Sequence, residues 1–398
     1  MVCPPVSTGR ARFDMADIVR RHRVTLEAGQ RLSVAQRRVL SAIETCRTPA
    51  LGGHVECCPS CGLEWACYHS CRNRHCPKCQ ALAQERWIAA RTERLLPVGH
   101  FHVVFTLPSQ LRKLAKYRPR ALFGALFAAA SETLLELGQS KLEARLGITM
   151  VLHTWTQELR FHPHVHAIVT AGGLALDGSR WRPSSSKYLF AVEAMGALLR
   201  GKMMAALRAL HARGRFEGFD DFEDPEGFDR LLARLATLDW VIYAKKPFRR
   251  VDHVLGYLGR YTHRVAIANS RLVDVTAEAV TFRIKNGKTV TLPPVEFVRR
   301  FVQHVLPDRF HKIRHYGLYA GTMARPGGLL DTARALLAAS AVVSASLGAP
   351  PRPVSWRRQL LELTGRDVTR CPRCHGLLVR RAVLPASAPR APPTEHAA

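Results

Sequence analysis

Acidic residues are scarce in this chain. Asp and Glu number 31 against 59 Lys and Arg in 398 residues, which leaves a net charge of +28 and a pI near 10.5. A surplus of that size calls for a polyanionic partner, most simply nucleic acid, because each cation set on a phosphate releases condensed counterions. Charge alone leaves RNA binding as open as DNA chemistry. Long apolar runs are missing too. Residues 1–12 contain no hydrophobic core of a signal peptide, and the most apolar stretches, 121–137 and 333–347, carry Ser, Glu or Arg. Neither offers the clean span of ~18 residues that a bilayer requires. Export and membrane insertion are disfavoured, and a cytoplasmic, nucleoid-associated protein is expected. No GxxxxGK[ST] phosphate loop occurs, so nothing points to ATP as an energy source. Disulfides are rare inside cells, so the 11 cysteines need another explanation, metal or burial.

The cysteines supply one. Cys58-Pro59-Ser60-Cys61 and Cys76-Pro77-Lys78-Cys79 are two CxxC knuckles fourteen residues apart. Four thiolates complete a tetrahedral zinc site with no open position, hence a structural one. Two redox pairs are the weaker reading without a thioredoxin-like pattern around them. Cys46, His54, Cys71 and His75 offer a second set with irregular spacing. Arg72, Arg74 and Lys78 surround the second knuckle and suit phosphate contacts. Upstream, Ser33 and Gln36 have capping-box spacing ahead of an amphipathic helix ending near Thr45. A second helix is expected from Gln80 to Leu95.

The organising stretch is Phe161-His162-Pro163-His164-Val165-His166, followed by Ala167-Ile168-Val169. On a β-strand His164 and His166 project to one face while Val165 turns into the core. A lone histidine is more often solvated or singly hydrogen-bonded; a pair on a rigid strand makes two metal ligands. Strands are expected at 101–106 and 148–158, with a long apolar helix between them at 122–137. A turn over 158–163 sets Gln157 opposite His164, which makes Gln157 the candidate third ligand, with Glu158 and His153 as fallbacks. Two nitrogens and an oxygen with open positions suit a catalytic Mg²⁺ or Mn²⁺.

Further on, Tyr257 and Tyr261 are four apart and share a helix face. Such a pair is usually core packing. Here Gly256 and Gly259 each cost a helix about 1 kcal/mol relative to Ala, and Lys245, Lys246, Arg249, Arg250, Arg260 and Arg264 flank the tyrosines. A cationic setting fits a phosphate site better than an oily core. The run 217–229, with seven acids and no basic residue, reads as a solvated linker. Residues 311–316 add basic and aromatic surface suited to stacking the bases of a single strand.

Together these segments resemble the HUH endonucleases, most closely the two-tyrosine rolling-circle transposases of insertion sequences with an N-terminal zinc-binding domain. The resemblance rests on His75-Cys76-Pro77-Lys78-Cys79-Gln80, Phe105-Thr106-Leu107-Pro108, His162-Pro163-His164-Val165-His166, Tyr257-Leu258-Gly259-Arg260-Tyr261-Thr262-His263-Arg264 and Ile313-Arg314-His315-Tyr316-Gly317. It implies an α+β fold, an antiparallel sheet flanked by helices beside a helical zinc-ribbon module. It implies Tyr257 and Tyr261 as nucleophiles that form a 5′-phosphotyrosine link to single-stranded DNA at transposon ends and target. His164, His166 and Gln157 would hold the catalytic cation. The expected divisions are 1–45 helical, 46–95 zinc-binding, 96–320 nuclease and 321–398 C-terminal, the last with the knuckle Cys371–Cys374 and a Pro/Ala-rich tail. His375 stands where the family more often has glycine. A replication initiator or relaxase sharing this chemistry, and a non-catalytic zinc-ribbon DNA-binding protein, are the rival readings.

Overall fold

A computed structural model describes residues 12–79, 81–92, 94–222, 224, 226–248, 266–340, 361, 365 and 367–387. The helices in chain order are α1 (Met15–Gly29), α2 (Val34–Thr45), α3 (Ala81–Thr92), α4 (Arg112–Tyr117), α5 (Pro119–Leu142), α6 (Val192–Ala212), α7 (Gly227–Ala236), α8 (Pro294–Val302) and α9 (Leu329–Ala339). The strands are β1 (Gly53–Cys57), β2 (Glu64–Tyr68), β3 (His100–Thr106), β4 (Ala144–Trp155), β5 (Phe161–Ala175), β6 (Trp181–Pro183), β7 (Ile242–Phe248), β8 (Leu272–Val275), β9 (Val280–Arg283), β10 (Thr289–Leu292), β11 (Ile313–Gly317) and β12 (Val379–Leu384). The fold is α+β with antiparallel sheets, as expected.

The chain forms two compact units, and both are discontinuous in sequence. The first takes the described residues within Met1–Arg86, His263–Val305 and Arg352–Ala398; the second takes those within Trp87–Thr262 and Leu306–Pro351. The linear division expected above gave 266–305 to the nuclease; packing gives it to the first unit. There the meander β8–β9–β10 and the amphipathic helix α8 bury Phe282 against Phe297, while Asn269 accepts from the Met15 amide and donates to Asp14. Asp14 caps α1, and Lys78 pairs with it at 2.5 Å. The Ser33–Gln36 capping box on α2 is present in both directions. A second small sheet runs β12–β1–β2, so the C-terminal strand returns to the N-terminal hairpin.

The second unit is built on a sheet of order β11–β4–β5–β3–β7, all antiparallel, with β6 added to β5. Alternation divides its faces. Val165, Ala167 and Val169 of β5, Met150 and Leu152 of β4 and Phe101, Val103 and Phe105 of β3 point into the main core with α5 and α6. Among the described residues α5 is the helix long and apolar enough to cross a membrane, yet 67% of that window is buried in this core. The acidic run proves to be no linker. Its aromatics alternate with the acids, so Phe219 and Phe228 bury beside Phe216 while the carboxylates of its described acids stay out, and α7 starts within it.

Candidate active site

The other face of the large sheet is lined with histidine. His162, His164 and His166 project from β5, His153 from β4, His100 and His102 from β3 and His315 from β11. Ligand nitrogens of His153, His164 and His166 all lie within 4.8 Å of one another. The strand pairing explains the set. His164 stands opposite His153, not Gln157. The turn occupies 156–160, closed by Thr156 donating to the Arg160 carbonyl and anchored by the fully buried Leu159. Strand β4 therefore ends at Trp155, and Pro163, expected in the turn, lies inside β5. A shift by an even number of residues keeps the face, so His153 takes the place reckoned for Gln157, which sits in the turn. Glu158 pairs with Arg160 at 2.8 Å.

Neighbouring groups decide which nitrogen each ring offers. His164 donates Nδ1–H to the His162 carbonyl at 2.7 Å, leaving the Nε2 lone pair. His166 Nδ1 lies 2.8 Å from His102 Nε2, with the two rings nearly parallel. With His166 as donor its Nε2 is also a lone pair, the arrangement that orients metal-binding imidazoles. Trp155 stacks on His153 at 4.7 Å. At one edge, Arg112 donates to His162 Nδ1 at 2.9 Å, which brings a guanidinium beside the cradle. Burial, then repulsion from Arg112, lowers the His162 pKa. Three imidazoles in this spacing fit a divalent transition ion, whereas Mg²⁺ prefers oxygen. We expect His102→Phe to weaken cation binding at the cradle 10- to 100-fold, measured by isothermal titration with Mn²⁺; unchanged affinity would remove His102 from this role.

Burial pushes His100, His102 and His164 down to about 4 from the ordinary 6.5. A depressed histidine is neutral in both folded and unfolded chains above pH 6.5. Below it the unfolded chain takes up protons that the folded one refuses until about pH 4, so stability is lost as pH falls through that window. The metal-free protein should therefore show a falling thermal midpoint between pH 6.5 and 5, before most carboxylates titrate. A flat midpoint over that range would contradict the burial.

In the first unit eight of the described cysteines sort into two fours: Cys46, Cys71, Cys76 and Cys79, and Cys58, Cys61, Cys371 and Cys374. The expected single site from Cys58, Cys61, Cys76 and Cys79 is not formed. Each knuckle finds its own partners, because β12 lies on β1 and carries the C-terminal knuckle to the first one. Sulfur separations are 3.3 Å for Cys58–Cys374, 3.6 Å for Cys61–Cys371 and 3.7 Å for Cys71–Cys79. Bonds of about 2.3 Å to a tetrahedral zinc place sulfurs about 3.8 Å apart, so both sets fit the ion. Backbone amides of Cys71, Asn73 and Arg373 donate to cysteine sulfurs, as they do to thiolates. His375 adopts φ 59° and Gly62, at the matching place after Cys61, adopts φ 69°. That left-handed step explains why glycine suits the position.

Two family models match the chain. One, described as "Putative transposase", matches residues 147–326, which include the histidine strand; the other, "Transposase zinc-binding domain", matches 18–107. A relative in Sinorhizobium fredii named "Putative transposase y4qJ" is 42% identical over 378 residues, covering 92% of this chain and 94% of its own length. The chain belongs to this transposase family. A second relative, "Transposase for insertion sequence element IS801" of Pseudomonas savastanoi pv. phaseolicola, is 31% identical over 289 residues, 69% of this chain and 68% of that one. No solved structure matches the transposase. As a transposase it is an enzyme whose substrate is DNA.

The remaining expected site residues of the transposase divide as follows. Tyr257, Tyr261, Arg260 and Arg264 lie outside the described residues, as does the side chain of Lys246. Lys245 pairs across from His102 and shares the histidine face with Tyr243. Arg72 is exposed at φ 54° on the Cys71–Cys79 loop, and Arg74 is half-buried. Lys78 is committed to Asp14 rather than to phosphate. Tyr316 packs against the core instead of offering a stacking platform, since it alternates with His315, which meets Thr149 on the histidine face. Residues the sequence did not single out are His102, Arg112 and Cys371 with Cys374 as partners of Cys58 and Cys61. His102 was legible as a histidine alternating with Phe101 and Val103 in a mostly apolar strand; Arg112 carried no signal.

Proposed function

We propose that this transposase cleaves and rejoins single-stranded DNA through a 5′-phosphotyrosine intermediate, in rolling-circle transposition. The observation that carries the reading is the triad His153, His164 and His166 on a rigid sheet face within the segment matched to the transposase family. Held there, a divalent ion such as Mn²⁺ would supply Lewis-acid polarisation of a scissile phosphate oxygen. His102 and the His162 carbonyl orient the cradle rings, and Arg112 and Lys245 set positive charge beside it for the incoming backbone. We assign Tyr257 and Tyr261 as the nucleophiles. A phenol has an ordinary pKa of about 10, so its attack on phosphorus requires the polarised phosphate. The phosphodiester energy is retained in the tyrosyl ester, and the freed 3′-hydroxyl can reverse the step without ATP. Tyr319 is unsuited to that role: it is buried, accepts from the Leu96 amide, shares a hydrogen bond with His100 Nε2, and burial raises its pKa.

The test is incubation of the protein with end-labelled single- and double-stranded oligonucleotides and Mn²⁺, followed by denaturing electrophoresis. A covalent adduct with the single strand, lost in the double variant Tyr257→Phe with Tyr261→Phe, is expected. Adduct formation that persists in that variant would overturn the assignment.

A further inference from the structure

One group of metal-type donors belongs to neither cysteine set nor to the histidine cradle. His54 and Glu56 lie two apart on β1, so they share a face, and Cys67 of β2 pairs directly across from His54. Their ligand atoms all lie within 4.8 Å of one another. His54 Nε2 and Glu56 Oε1 are 3.3 Å apart. Two ligands bound at about 2.0–2.1 Å to a tetrahedral zinc stand about 3.3–3.4 Å apart, so this pair already spans one edge of such a site. Both side chains are largely covered, 17% and 22% exposed, which limits their rotamers without closing off solvent. His69 is two residues past Cys67, exposed, with its ring centroid 6.1 Å from that of His54. Imidazole, thiolate and carboxylate together suit a borderline-soft ion, not Mg²⁺ or Ca²⁺.

We propose that His54, Glu56 and Cys67 form a third zinc site, with His69 completing it as fourth ligand. With one thiolate instead of four and an exposed fourth ligand, it binds more weakly than the two four-cysteine sites and exchanges its ion. It clips β1 to β2 on the sheet whose third strand, β12, leads from the Cys371–Cys374 knuckle.

Cobalt distinguishes it from the other sites. The full-length protein is dialysed against a chelator that strips all but the four-cysteine zinc, then titrated with Co²⁺. The histidine cradle has no thiolate and gives no sulfur-to-cobalt charge-transfer band; the third site gives a single-thiolate band whose final intensity corresponds to one bound cobalt per chain. That band should disappear in Cys67→Ser and in His54→Ala, and should be unchanged in His164→Ala with His166→Ala. Retained zinc in each variant reports an intact fold; if Cys67→Ser fails that check, His54→Ala decides. No band in the wild type, or a band surviving in a folded His54→Ala protein, would overturn the proposal.

Discussion

Alanine at both His164 and His166 should reduce cleavage of single-stranded DNA by about 10³-fold or more. Several kcal/mol of charge stabilisation at the phosphate would go with the bound cation, and each 1.4 kcal/mol is tenfold in rate. The fold should survive, because these rings lie on the face away from the main core, which Val165, Ala167 and Val169 hold with α5 and α6. The measurement is the initial rate of oligonucleotide cleavage at saturating Mn²⁺, with circular dichroism to confirm folding. A folded double variant within tenfold of wild type would show that the three-histidine cluster is structural.

The second large effect lies at the far end of the chain. Cys371→Ser should cost the protein one structural zinc and unfold the sheet β12–β1–β2. Zinc in small thiolate sites contributes about 10–16 kcal/mol of apparent binding energy, much of it folding energy. The partner sulfur, Cys61, is 310 residues away, so the lesion should appear in the N-terminal hairpin as new protease cleavage between 53 and 68. Zinc content by mass spectrometry and limited proteolysis check this together. A Cys371→Ser protein with undiminished zinc would restore the local pairing of Cys58 and Cys61 with Cys76 and Cys79.

That contrast marks what the sequence could and could not reveal. Spacing within a knuckle is local, so each CxxC reads as half of a zinc site. Which halves combine depends on β12 lying on β1, a long-range pairing that no spacing rule encodes. The histidine face behaved similarly. Alternation along β5 placed His164 and His166 together without any knowledge of the neighbours. Which residue of β4 faces His164 required the register of that strand, and that hung on a turn tightened by Leu159 and on Pro163 being tolerated inside β5. Because the register differed by an even number of residues, the same face was kept, and His153 stands opposite His164 where Gln157 was reckoned. In the acidic run, charge masked Phe219 and Phe228, which bury beside Phe216 and decide the structure there.

The most direct test of the account is to find where DNA becomes attached. A suicide single-stranded substrate is reacted with wild-type protein and Mn²⁺, the adduct is digested with trypsin and nuclease, and the nucleotide-bearing peptide is sequenced by mass spectrometry. A phosphotyrosyl linkage at Tyr257 or Tyr261 is expected. Attachment at any other residue, or cleavage releasing free 5′-phosphate ends with no linked peptide, would contradict it.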